Sequence, residues 1–288
     1  MAEILQVTDL RRVYGKGGAA TRALDGVSLS LEPGEFVGVM GQSGSGKTTL
    51  LNCVATIDRP TSGSIVIDGR ELTRLRGKEL AKFRRERLGF IFQDCNLLDT
   101  LTAGENIALA LSIIRAPAGE INGRVREMAG LLGISNCLNK YPYQMSGGQQ
   151  QRCAAARAMV TRPALVLADE PTGALDSKSA QMLLDRLEEL NRELGSTILM
   201  VPHDAFTASC CRRVVFLRDG QIFMELRRGG VVYRGKFYPV GGRVSWTGVN
   251  TVFLSSTYLH LGQKKGINVS FMKDAEKLFA RAYSNTIP

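Results

Sequence analysis

The chain has 288 residues, 44% of them apolar and 22% charged, with a net charge of +10; this is ordinary globular composition, long enough for a sizeable core and a small second domain. The charge is uneven: from Arg227 onward ten Lys/Arg stand against two Asp/Glu, so that stretch carries +8 and the rest only +2, which excludes a basic nucleic-acid or membrane surface for all but the end of the chain. Six cysteines, Cys53, Cys95, Cys137, Cys153, Cys210 and Cys211, form no C-x-x-C pair and adjoin no plausible histidine ligand, which argues against zinc and for reduced, structural thiols.

The N-terminus, "MAEILQVTDL", has no charged lead followed by an apolar stretch, so no secretory signal is expected there. "FVGVM" (Phe36 to Met40) reads as a buried strand, followed by a glycine-rich turn and an apolar helix through Leu50, Leu51 and Val54. "SIVIDG" is a strand ending in an Asp-Gly turn, and "KELAKFRRERLGFIFQ" runs from a basic helix into a strand at 89–92. From about Asn96 to Met159 the pattern is helical with little strand signal, which reads as a helical insert. Its greasiest piece, "IALALSII" (Ile107 to Ile114), is far short of the ~20 residues that span a bilayer. The chain is therefore expected to be soluble and to reach a membrane only by docking.

"ALVLADEP" is a second buried strand, closed by Pro171. "SKSAQMLLDRLEELNREL" carries Met182, Leu183, Leu187 and Leu190 at helical spacing. "STILMVPHD" is a third strand with a short helix after it, and "RVVFLRDGQIFME" reads as a hairpin about Asp219-Gly220. Strands alternating with helices predict an α/β architecture.

"GQSGSGKT" (Gly41 to Thr48) fits G-x-x-x-x-G-K-[ST] between a strand and a helix. Glycines let successive backbone N–H groups turn onto phosphate oxygens, and the helix start adds partial positive charge. Gly41, Ser43, Gly44, Ser45, Gly46, Lys47, Thr48 and Thr49 form this predicted cradle. Lys47 would contact the β- and γ-phosphates, and the Thr48 hydroxyl would bind Mg²⁺. In "LVLADE" an apolar strand delivers Asp169 and Glu170 to its carboxyl end, where open α/β sheets bind ligands. Asp169 is expected to hold Mg²⁺ and Glu170 to polarise an attacking water as general base.

A second anion site is written in "YPYQMSGGQQQR" (Tyr141 to Arg152). Ser146, Gly147 and Gly148 stand before a helix expected near Gln149, offering a hydroxyl, bare N–H groups and a helix dipole. Two phosphate-binding helix starts in one chain point to two chains arranged head to tail, each closing the other's nucleotide. "MSGGQQQR" resembles the signature motif of ATP-binding cassette (ABC) ATPases, and the remaining family motifs follow in order over about residues 1 to 226.

The resemblance implies a P-loop NTPase cassette with a RecA-like core, an antiparallel β subdomain and the helical insert at about 96–159, hydrolysing ATP with Mg²⁺. It implies that Tyr14 stacks on adenine, that Gln93 links metal and water to the transport partner, and that Asp176 in "GALD" lies on a loop crossing the dimer interface. It further implies that His203 contacts the γ-phosphate, and that Ser146, Gly147, Gly148 and Gln149 serve the partner's ATP. Met145 stands where leucine is usual, a volume-conserving change. Pro202 stands where threonine is frequent and removes a backbone donor just before His203.

One cassette, no heptad run and a compact insert after Gln93 fit a transporter motor better than a translation factor or a chromosome protein. "FQDCNLLDTLTAGENI", "ADEPTGALDSKSA" and "FLRDGQI" resemble the exporters of bacitracin and peptide antibiotics, close to macrolide-export and lipoprotein-release ATPases. The resemblance implies a separate permease as partner, a second cassette, no nucleic acid, and a peripheral place on the cytoplasmic face of the plasma membrane. Residues 227–288 fall outside it as a basic extension holding the only tryptophan, Trp246. "KDAEKLFARAY" there could place Ala275, Leu278, Phe279 and Ala282 on one helix face. Contact with anionic headgroups or the permease, a poorly ordered tail, and an altered gene end all stay open for this stretch.

Overall fold

A computed structural model of the chain describes residues 3–15 and 19–227, and beyond them only the backbone of three short strands at 230–232, 239–240 and 243–244. The expected amphipathic helix at 273–283 and Trp246 lie outside the described residues.

Strands β1 (Leu5–Tyr14), β2 (Thr21–Leu31), β4 (Ser62–Ile67) and β5 (Arg70–Glu71) form an antiparallel sheet in the order β2-β1-β4-β5. The larger sheet contains β3 (Phe36–Met40), β6 (Leu88–Ile91), β7 (Leu165–Asp169), β8 (Ile198–Val201), β9 (Arg213–Arg218), β10 (Gln221–Arg227) and β11 (Gly230–Val232). Its order is β11-β10-β9-β3-β8-β7-β6. The five strands from β9 to β6 are parallel, and β10 and β11 add an antiparallel edge. All of β3 and β8 and the first four residues of β7 are buried, as a parallel sheet covered on both faces requires.

Alternate residues of those strands enter two separate cores, following the strand's two-residue period. Phe36, Ile91, Val166, Ala168, Ile198 and Met200 face α3 (Ala103–Ile113), α4 (Ala118–Leu131), α5 (Gly147–Met159) and α6 (Ser177–Leu194). Val37, Val39, Leu165, Leu167, Leu199 and Val201 face α1 (Lys47–Val54), Phe83 of α2 (Gly77–Arg87) and the antiparallel sheet. Between β6 and β7 the chain is helical throughout its regular structure, in α3, α4, α5 and two single 3₁₀ turns. Asn106, fully buried in α3, binds the preceding loop: its Nδ2 donates to the carbonyls of Leu98, Leu101 and Thr102 at 3.0–3.1 Å, and its Oδ1 accepts from Leu98 N. The expected α/β core, antiparallel sheet and hairpin at Asp219-Gly220 are all present.

Two local readings change. Helix α5 starts at Gly147, two residues before the expected Gln149, because Ser146 caps it. On α6, Leu183, Leu187 and Leu190 are buried but Met182 is 43% exposed, since it lies one residue round from that face. All six cysteines are free thiols. Among the described residues no helix is long and apolar enough to cross a membrane.

Candidate nucleotide site

The loop between β3 and α1 is shaped by close backbone contacts. A Cβ on Gly46, whose φ is +103°, would lie 2.4 Å from the Ala23 carbonyl oxygen, and one on Gly41 would lie 2.2 Å from that of Leu217. Only glycine lets the loop lie this close to β2 and β9. The β9–β10 turn supports it from behind: Gly220 N donates to Ser45 O at 3.1 Å, and Asp25 N donates to Gly220 O at 2.8 Å. That support was not read from the sequence, where Asp219-Gly220 signalled only a hairpin. Ser43, Gly44 and Thr48 are exposed, Gly41, Lys47 and Thr49 are half-buried, and Ser45 and Gly46 are buried. Lys47 Nζ donates to the carbonyls of Gly41 and Gln42, each at 2.9 Å. Burial lowers the Lys47 pKa, while Glu170 and Asp169 act to raise it.

Asp169 ends β7 and Glu170 follows at φ +43°, an uncommon conformation for a residue with a side chain. It is held by Glu170 N donating to Val201 O and Gly173 N donating to Glu170 O, at 2.9 and 3.0 Å. Burial raises the Asp169 carboxyl above its ordinary range, Glu170 adds to this, and Lys47 opposes it. Its Oδ1 is buried and accepts no hydrogen bond. A carboxylate oxygen with no hydrogen bond, in electrostatic range of Lys47, together with the exposed Thr48 hydroxyl one residue on, supplies oxygen donors of the kind that a hard cation such as Mg²⁺ takes.

His203 follows β8, and its Nδ1 lies 3.5 Å from Glu170 Oε2. Pro202 is buried and outside the β8 ladder, whose last pair is Asp169 with Val201, so its missing N–H breaks no strand bond. Beyond the histidine, Asp204 Oδ1 accepts from Thr207 N at 2.7 Å and caps α7 (Ala205–Ala208). Gln93 follows β6, and its carboxamide packs against Gly173: a Cβ there would be 3.0 Å from Gln93 Nε2. Lys47, Gln93, Asp169, Glu170 and His203 thus all leave the carboxyl edge of parallel strands.

The start of α5 is elsewhere. Ser146 Oγ accepts from Gln149 N at 3.3 Å, and Gln149 Oε1 accepts from Ser146 N at 3.0 Å, a reciprocal cap. No hydrogen bond among the described residues joins Ser146 to the Gly41–Thr49 loop. Ser146 and Gly147 are exposed, whereas Gly148 is buried and a Cβ on it would lie 2.8 Å from that of Ser179. Asp176 caps α6, its Oδ1 accepting from Lys178 N and Ser179 N and its Oδ2 from Ser179 Oγ. These bonds, foremost that from the Ser179 hydroxyl, lower the Asp176 pKa. Met145 is buried in the core beside α5, the place of an apolar residue of leucine's size.

Farther along α5, Gln151 Nε2 donates to Phe92 O at 2.7 Å, and Cys95 Sγ donates to Gln151 Oε1 at 2.6 Å. Arg157 Nη1 and Nη2 donate to the carbonyls of Asn96 and Cys95 at 2.6 and 2.9 Å. The turn after Gln93, with Cys95 and Asn96 at φ +49° and +48°, is therefore bound to the flank of α5. Burial raises the Cys95 thiol to about 11, which keeps it protonated as the donor to Gln151. The residues Gln151 and Arg157 were missed because nothing in "QQQRCAAARA" separates a buried clamp from a solvated helix face.

A family model described as ABC transporter matches residues 24–173, half of the chain. The chain belongs to this family. It is 52% identical over 226 residues to the bacitracin export ATP-binding protein BceA of Halalkalibacterium halodurans, covering 78% of this chain and 89% of that protein. It is 44% identical over 225 residues to the macrolide export ATP-binding/permease protein MacB of Syntrophobacter fumaroxidans, covering 77% of this chain but 32% of that longer protein. Among solved structures, a dimeric ATP-binding cassette in a post-hydrolysis state with ADP and Pi is 39% identical, with a TM-score of 0.72 and 78% of this chain and all of that chain covered. This member of the ABC family is an ATP-binding, ATP-hydrolysing cassette.

Proposed function

We propose that this cassette is the motor of an exporter for peptide antibiotics, working as a pair of copies beneath a separate membrane permease on the cytoplasmic side of the membrane. The convergence of Lys47, Asp169, Glu170 and His203 at one sheet edge carries the reading. The likeness to a bacitracin-export ATP-binding protein favours peptide antibiotics, and the likeness to a macrolide exporter keeps that substrate class as the second reading.

Residues 1–226 form the working cassette, with 227–288 as an appendage. The loop N–H groups from Gly41 to Thr49 receive the phosphates, and Lys47 exchanges the Gly41 and Gln42 carbonyls for β- and γ-phosphate oxygens. Thr48, Asp169 and Gln93 would hold Mg²⁺, which when bound neutralises phosphate charge. Glu170 takes the proton of the attacking water while His203, beside it, steadies the γ-phosphate. Tyr14 supports the adenine. Ser146, Gly147, Gly148 and Gln149 of each copy close over the nucleotide held by the other, with the Asp176 loops meeting between them. Closure moves α3 and α4, which contact the permease.

Glu170→Gln tests the assignment. It keeps the shape and removes the base, so the variant should bind ATP, lose at least about a hundredfold in hydrolysis and accumulate as an ATP-bound dimer on size exclusion. Hydrolysis at the normal rate would refute the role given to Glu170.

A further inference from the structure

We propose that Arg12 and Asp58 are positioning residues for the nucleotide base, bracketing Tyr14 so that its ring is fixed before ATP arrives. This rests on the reading of Tyr14 as the adenine support. Tyr14 is the last residue of β1 and is 38% exposed, too open to be held by packing alone. It is held instead by two groups. Its hydroxyl donates to Asp58 Oδ2, and the Arg12 guanidinium lies over the ring, with Cζ 4.3 Å from the centroid, within cation–π range. Arg12 and Asp58 also bind each other, Nη2 donating to Oδ1 at 2.8 Å, with both side chains about three-quarters buried. One ring face and the hydroxyl are thereby occupied, and among the described residues no ring or cation stacks on the other face.

The bracket spans two parts of the site. Tyr14 and Arg12 belong to β1, whereas Asp58 follows α1, where its backbone N donates to Asn52 O at 3.0 Å. Val13 N donates to Thr61 Oγ1 at 3.0 Å in the same seam. Strand register puts the ring near the phosphate loop. Tyr14 pairs with Thr21, two residues or ~7 Å along the strand from Ala23, whose carbonyl abuts Gly46. Asp58 therefore ties the base support to the helix that opens at the phosphates. A ring already fixed loses less rotational freedom when a base stacks on it, which is how preorganisation raises affinity.

Dissociation constants for ATP and for inorganic tripolyphosphate, measured by calorimetry on the full-length protein, test this. Tyr14→Phe, Asp58→Asn and Arg12→Lys should each weaken ATP about three- to tenfold, part of a full base-stacking contact, and leave tripolyphosphate within about twofold. The Tyr14→Phe/Asp58→Asn pair should bind ATP no more weakly than Asp58→Asn alone, because Tyr14→Phe removes only the bond to Asp58. Tyr14→Ala separates the two layers of the reasoning. If it leaves ATP affinity unchanged, the base-support reading falls, and the bracket with it. If it weakens ATP while Tyr14→Phe and Asp58→Asn do not, the support stands and the bracket is wrong. Equal loss of both ligands in Asp58→Asn also overturns the bracket, because it marks general damage.

Discussion

Gly148→Ala would place a methyl carbon 2.8 Å from Ser179 Cβ and 2.7 Å from Ser179 Oγ, against ~3.5–4.0 Å for an unstrained carbon contact. Ser179 cannot simply turn away, because its Cβ is itself in the path and its hydroxyl is bound to Asp176. The starts of α5 and α6 must therefore part by ~1 Å. Overpacking of this kind costs about 1–3 kcal/mol, which for a folded unit of this size lowers Tm by about 4–8 °C at the middle of the range. Thermal unfolding followed by circular dichroism measures it directly. Adding Ser179→Gly removes the obstructing carbon at a propensity cost of about 1 kcal/mol or less and the loss of the hydroxyl's bond to Asp176, so the double variant should regain only part of the loss. ATPase activity read alongside distinguishes packing from ligand contact: recovery of Tm without turnover means the α5 start is needed at the nucleotide as well. A Gly148→Ala protein melting within about 1 °C of the parent would refute the steric reasoning.

Two further outcomes follow from buried charge. Asp169 holds its proton more tightly folded than unfolded, because burial and then Glu170 raise its pKa against Lys47; its stabilising share is present in acid and lost as pH rises through the raised folded value. Asp169→Asn should therefore abolish hydrolysis yet raise Tm of the nucleotide-free protein at pH 7.5, with a smaller gain at pH 4.5; no gain at pH 7.5 would contradict this. Arg213 is 3% exposed and reaches Glu35 by Nε and Nη2 at 2.6 and 2.7 Å, with Glu225 at 3.6 Å. Arg213→Met leaves Glu35 without this cation, while Glu225 keeps Arg227 at 2.8 Å, so urea unfolding should show a loss of about 3–5 kcal/mol; a loss below about 1 kcal/mol would mean that water replaces the guanidinium.

Much of this was legible in the chain because its signals are local. The apolar runs of β3, β7 and β8 are continuous where the sheet is covered on both faces, and the leucines of α6 follow one helical stripe. The cradle and the acids after β7 are short motifs whose neighbours in sequence are also neighbours in space. The long strands β1 and β2 were not recognised from their residues. Their pairing shifts register three times, and Asp9 sits at φ +43°, so the alternation that marks a strand is interrupted. The burial of Gly148 has another cause. "SGGQ" predicts helix-start chemistry, but the contact that demands a glycine comes from Ser179, thirty-one positions later. Likewise the bond from Tyr14 to Asp58 spans forty-four positions, and no spacing rule links them.

Helix α5 carries an exposed cap at its beginning and, farther along, grips the carbonyls on either side of Gln93, those of Phe92, Cys95 and Asn96. Rod and bend are consequently a single mechanical piece. Whatever presses on Ser146 from outside pushes on the rod whose Gln151 and Arg157 side chains hold that bend, so a push at the cap is felt beside Gln93 through these two side chains.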